Sequence, residues 1–189
     1  MITKPQLLTQ ILAAMTIAVG TATALSQPSP AQSNPSDTFF CSSRNGTPET
    51  RFRIPGGSSP IIRWVTSNWG SSWTPMSRCQ AVSKQFQIAY ESGNLEFITH
   101  GQKNGYPIIC ATNVANGPCV VQLFTLKAGD DPEAILAEIF DIRGGLTSRV
   151  LEQKRPLVST YNDRSYYNVD EMMKSAQEDS SSYNIRQLI

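Results

Sequence analysis

The chain has little with which to do metal or nucleophile chemistry. Its 189 residues include one histidine, His100, and no C-x-x-C pair, whereas zinc sites draw on closely spaced Cys and His ligands. No G-x-S-x-G elbow, P-loop or dinucleotide fingerprint occurs, so the usual signatures of serine hydrolases, NTPases and nucleotide-dependent oxidoreductases are missing. Gly56-Gly57-Ser58-Ser59-Pro60 ends in proline where the elbow wants glycine. An excess of either charge is also lacking, with Lys plus Arg at 16 against Asp plus Glu at 15. No overall field therefore exists to draw nucleic acid, and a nucleic-acid partner is excluded as an expectation. No cofactor or metal is predicted, and there is no internal repeat.

What is present begins with an address. Lys4 precedes an uncharged run from Pro5 to Ser36 whose apolar centre lies between Leu7 and Val19, and Ala22-Thr23-Ala24 offers small residues for cleavage. Basic start, short apolar middle and small-residue site together predict a secretory signal over residues 1–24. Threonines and Gln10 dilute the run below the ~20 predominantly apolar residues that a stable membrane span needs. No cysteine just after the site offers a lipid acceptor. Residues 25–37, rich in Ser, Pro, Gln and Asn, predict a flexible lead-in. A single domain over 38–176 and a polar tail over 177–189 complete the expected organisation.

Cysteine usage agrees with export. Cys41, Cys79, Cys110 and Cys119 all follow the proposed signal, and their number is even. Four cysteines permit three pairings; Cys41 with Cys79 and Cys110 with Cys119 is favoured because the second pair flanks a hairpin-like loop.

Periodicity then predicts the elements. Thr74 as N-cap and Pro75 at the first helical position open a helix. Met76, Cys79, Val82, Phe86 and Tyr90 form its apolar stripe, and Gly93 supplies a left-handed stop. A second helix starts with Asp131 as cap and Pro132 next, and runs to Arg143 before Gly144-Gly145. Strands are predicted at 39–42, 50–54, 61–66, 95–100, 106–110 and 119–126, the last placed centrally, with another at 165–169 before a short helix through Met172 and Met173. A helical turn or two is expected within 146–155. The fold class is α+β: a single mixed, mostly antiparallel sheet of about six to seven strands covered by two main helices.

Three constellations carry candidate chemistry. His100 could act as a general base if folding brought a serine or carboxylate beside it, although a turn histidine is the plainer reading. Asp130, Asp131 and Glu133 offer oxygens for calcium, but their place at a helix start explains them as capping and dipole partners. Trp64, Trp69 and Trp73 share a neighbourhood with Arg51, Arg53 and Arg63, a combination suited to a partner surface or lipid headgroups. Alternation with Ile62 buries Trp64. Trp69, Trp73, Arg51 and Arg53 remain as the candidate contact.

Several runs resemble the cyanobacterial circadian-oscillating-protein family. They are Phe40-Cys41, Ile62-Arg63-Trp64-Val65, Trp73-Thr74-Pro75 and Arg78-Cys79-Gln80-Ala81-Val82. Asn104-Gly105-Tyr106-Pro107-Ile108-Ile109-Cys110 and Leu123-Phe124-Thr125-Leu126-Lys127-Ala128-Gly129-Asp130-Asp131-Pro132 continue the likeness. The resemblance implies an exported cyanobacterial protein that associates peripherally with membranes and varies in abundance with the day. It brings no catalytic residues. Residues and resemblance together predict a non-catalytic, disulfide-stabilised module in the periplasm, the thylakoid lumen or outside the cell, with a protein, envelope polymer or membrane surface as partner. The alternatives are a small secreted hydrolase using His100 and a calcium-dependent envelope protein.

Overall fold

The computed structural model describes residues 34–65, 73–141 and 157–186, without the side chains of 141 and 179–186. The expected signal, most of the lead-in, Trp69 and the 146–155 segment lie outside the described residues. All described residues belong to one unit, Ala31–Ile189.

Three strands come first: β1 (Phe39–Arg44), β2 (Thr47–Ile54) and β3 (Gly57–Arg63). They form a sheet of their own, closed by two tight turns. Asn45 and Gly46 both take positive φ, the mirror-image turn whose twist matches a hairpin. Gly56, after Pro55, supplies the positive φ of the second turn. Alternation sends Phe39, Thr50, Phe52 and Ile62 to one face, and α1 (Pro75–Glu91) packs on it. The Phe39 ring lies 5.6 Å from that of Phe86, 6.2 Å from Phe52 and 5.5 Å from Tyr90. Its backbone N–H donates to Gln87 Oε1 at 2.8 Å, so helix and strand are fastened by both ring packing and a hydrogen bond.

Helix α1 starts as its sequence demands. Ser77 N–H donates to Thr74 Oγ1 at 3.1 Å, and Gly93 takes φ 69° just after the helix. The buried stripe is Cys79, Val82, Phe86 and Ala89. Met76 and Tyr90, at the two ends of the expected stripe, are exposed. Arg78, on no apolar face in the sequence, is buried with its guanidinium 5.2 Å over the Trp64 ring.

Five strands make the second sheet, in the order β6-β5-β4-β8-β7 and antiparallel throughout. They are β4 (Phe97–Lys103), β5 (Tyr106–Thr112), β6 (Val121–Thr125), β7 (Val158–Tyr161) and β8 (Arg164–Asn168). Helix α2 (Pro132–Asp141) lies against β4 and β5 and reaches β3, while α1 reaches β6. Trp64 meets Phe124 edge-on at 6.1 Å, and Phe140 stacks on Tyr167 at 4.2 Å. One apolar core thus runs between both sheets and includes Met172 and Ala176 of α3 (Val169–Arg186).

Two expectations are corrected here. The single sheet is two, of three and five strands, because β1 to β3 hydrogen-bond only among themselves. The 119–126 run, expected at the centre, contributes β6, which stands at an edge; β4 is central. Strand β7 was not foreseen, and α3 is longer than the short helix expected around Met172.

Candidate functional site

The expected disulfides are formed: Cys41–Cys79 ties β1 to α1, and Cys110–Cys119 ties β5 to the segment before β6. Among the described residues no cysteine is free.

The face of the three-stranded sheet opposite α1 carries the charge, buried at Glu49 and Arg51 and exposed at Arg44, Arg53 and Arg63. Alternation places Phe40, Arg44, Glu49, Arg51, Arg53 and Arg63 opposite the face that α1 covers. Arg51 is only 7% exposed: its Nη1 pairs with Glu49, its Nε donates to Ser58 Oγ at 3.0 Å, and its Nη2 donates to Ser58 O at 2.6 Å. Glu49 is as deeply buried, at 5%, and also faces Arg63 Nε at 3.4 Å. A buried carboxylate needs such partners, because an unpaired charge there costs several kcal/mol. Arg51 is therefore a structural ion-pair residue, a correction to its placement in a partner contact. Arg53 is exposed. Its Nε donates to Asp37 O at 2.7 Å and its guanidinium lies 4.6 Å over the Phe40 ring. Arg44 and Arg63 are exposed too.

The tryptophans divide. Trp64 is buried, and its Nε1–H donates to Thr50 Oγ1 at 3.0 Å, an atom that also accepts from Ser83 Oγ at 3.0 Å. This buried hydrogen-bond chain joins β2, α1 and the end of β3. Burial lowers the pKa of Arg78, the cation over the Trp64 ring. Trp73, just before α1, is 50% exposed, and Met76 in the first turn of α1 is 39% exposed.

His100 does find a carboxylate. Its Nε2 lies 2.8 Å from Glu133 Oε1 in the first turn of α2. The same oxygen accepts the Ser165 backbone N–H at 2.7 Å, and Thr99 Oγ1 donates to Ser165 O at 2.7 Å. The geometry explains the cluster. Strands β4 and β8 pair only at Phe97 with Asn168 and Ile98 with Tyr167. Beyond that point their ladder ends, and Glu133 and Thr99 satisfy the Ser165 backbone groups that it no longer serves. Sequence reading missed Glu133 as the partner of His100, because 33 residues separate them.

The acidic triplet is likewise engaged. Asp131 Oδ1 accepts from Glu133 N–H at 3.0 Å and Ala134 N–H at 3.4 Å, which is N-capping. Asp130 Oδ2 accepts from Lys127 N–H at 2.9 Å. These three carboxylates point to three different tasks instead of converging on one ion, and among the described residues no group of three acidic, His or Cys side chains could hold a metal.

Fold and surface thus define a disulfide-stapled α+β module of two antiparallel sheets with an arginine-bearing outer face. A family model described as circadian oscillating protein COP23 matches residues 38–174, and the chain belongs to that family. No curated protein and no solved structure matches it.

Proposed function

We propose that this chain is an exported, non-catalytic cyanobacterial binding module that sits peripherally on a membrane or envelope surface through its three-stranded sheet. The two disulfides support an oxidising destination. Among the described residues no helix is long and apolar enough to cross a membrane.

Charge segregation carries the reading. From Phe39 to Arg63 the chain holds Arg44, Arg51, Arg53 and Arg63 against Glu49 alone. From Asp130 to Asp141 it holds Asp130, Asp131, Glu133, Glu138 and Asp141 with no base. A nearly neutral protein with a local excess of exposed arginines, Arg44, Arg53 and Arg63, on one sheet has an oriented attraction for an anionic surface. Each basic residue near such a surface is worth about 1 kcal/mol.

The test is co-sedimentation with vesicles of phosphatidylglycerol and neutral lipid. Arg44→Gln combined with Arg53→Gln should weaken binding by roughly 2 kcal/mol, on the order of thirtyfold. Arg63 is left in place because it pairs with Glu49. Binding that is unchanged in the double variant, or indifferent to salt, removes the arginine face as the contact. Trp73→Ala serves as a separate probe of the tryptophan side.

One observation favours a second reading, a small hydrolase: the 2.8 Å contact of His100 with Glu133. A screen against ester, peptide and glycoside substrates, with His100→Ala as control, decides it. No turnover above that control ends the hydrolase reading.

A further inference from the structure

The five-stranded sheet has a back face, away from α2, and what closes it is a loop. Thr99, Gly101, Ile108, Cys110 and Tyr166 lie on that side by strand alternation. Ile108, Cys110 and Tyr166 are buried yet stand outside the main apolar cluster. Residues 113–120 cross over them. Two fastenings hold the crossing. One is the Cys110–Cys119 disulfide, which rests directly on the sheet: a Cβ at Gly101 would stand 2.6 Å from Cys119 Sγ. The other is the Tyr166 hydroxyl, which donates to Gly117 O at 3.1 Å. Gly117 is itself pressed close, since a Cβ there would meet Thr112 Oγ1 and Val114 O at 2.8 Å.

We propose that Cys110–Cys119 is a thiol–disulfide exchange site for a dithiol reductant, and that its reduction frees the 113–120 loop and uncovers the apolar back face while the domain stays folded. The chemistry is balanced by the dithiol. Its thiolate attacks the Cys119 sulfur, forming a mixed disulfide and expelling Cys110 as a thiolate, which takes a proton. The second thiol attacks the mixed disulfide and releases Cys119 as a thiol. Two electrons pass to the two cysteines, and the dithiol leaves as its own disulfide.

Position separates this bridge from the other one. Cys119 is part-buried between exposed Pro118 and exposed Val120, in a segment outside helix and strand, so local opening of that segment presents its sulfur. Its closed loop spans only 9 residues, so its loss releases little chain. Each bridge has one fully buried cysteine, Cys110 or Cys79, and one part-buried, Cys119 or Cys41; Cys41 lies within β1 against the main core, its sulfur 3.8 Å from Met76 Sδ. The Cys41–Cys79 bridge spans 38 residues and joins a strand to a helix.

Stepwise reduction of the oxidised full chain with dithiothreitol in native buffer, followed by alkylation and peptide mass mapping, tests the proposal. Cys110 and Cys119 should label at least tenfold faster than Cys41 and Cys79. Amide exchange over 113–120 should rise at the same dose, with the far-ultraviolet circular dichroism unchanged. Equal labelling of the two bridges, earlier labelling of Cys41–Cys79, or loss of secondary structure with the first bridge overturns it. Tyr166→Phe removes the second fastening and should speed labelling of Cys110–Cys119 several-fold without touching the other pair. An unchanged rate overturns the hydroxyl's part in the clasp.

Discussion

The three-stranded and five-stranded sheets solve the same problem in opposite ways. The first buries one face under α1 and leaves the other to arginines and a buried Glu49–Arg51 pair. The second has α2 on one face and a disulfide-held loop on the other. A disulfide serves each, but Cys41–Cys79 joins elements far apart in the chain, and Cys110–Cys119 pins a local excursion. Long-range staples constrain the unfolded chain more. In the chain-entropy model, closed loops of these lengths correspond to roughly 4 and roughly 2.5 kcal/mol. The lesson is that one cysteine pair holds the fold together while the other finishes a surface.

Four replacements would break or sharpen this contrast. The largest effect is expected from Glu49→Ala, which leaves the Arg51 guanidinium buried beside Ser58 and should cost about 3 to 5 kcal/mol in urea unfolding. Replacing Cys41 and Cys79 together by alanine follows, at roughly 4 kcal/mol. The Cys110 and Cys119 pair replaced in the same way should cost about 2.5 kcal/mol and leave the main core packed. If both cysteine pairs prove equally costly, the distinction between staple and clasp fails. Smallest is Thr74→Ala at the start of α1, about 1 kcal/mol, because one helix N–H loses its acceptor. A larger loss there would mean that α1 carries more of the three-stranded sheet than its packing suggests.

A carboxylate replacement probes the junction of the two regions. Glu133→Ala should cost about 1 to 3 kcal/mol, since the Ser165 N–H and His100 both lose their acceptor. Thermal unfolding of the variant measures this. The same experiment with Asp130→Ala, whose bond to Lys127 N–H is local, should show less.

Local features were legible in the chain. Thr74-Pro75 and Asp131-Pro132 mark helix starts as expected, and Asn104-Gly105 has the composition of the mirror-image turn it forms between β4 and β5, because caps and such turns are chosen by the residues that form them. The burial of Trp64 was also readable from alternation, and the favoured one of the three possible cysteine pairings is the one formed. Arg51 was misjudged. Its alternating position signalled an outward face, and nothing in the pattern told that Glu49 and Ser58 would enclose it. Asn162 and Asp163, both at positive φ, make the hairpin between β7 and β8; without glycine there, the turn was missed.

The residues by themselves determined where the two main helices begin, that the cysteines could all pair, and the likeness to a family. Tertiary structure alone decided that the strands divide into two sheets, that β4 is central, and that His100 faces Glu133. Those outcomes depend on which surfaces meet across long stretches of chain. Strand pairing is stabilised by side-chain pairs that form only across the ladder, so alternation names a strand's faces but leaves its neighbours to be settled by the packing of the whole.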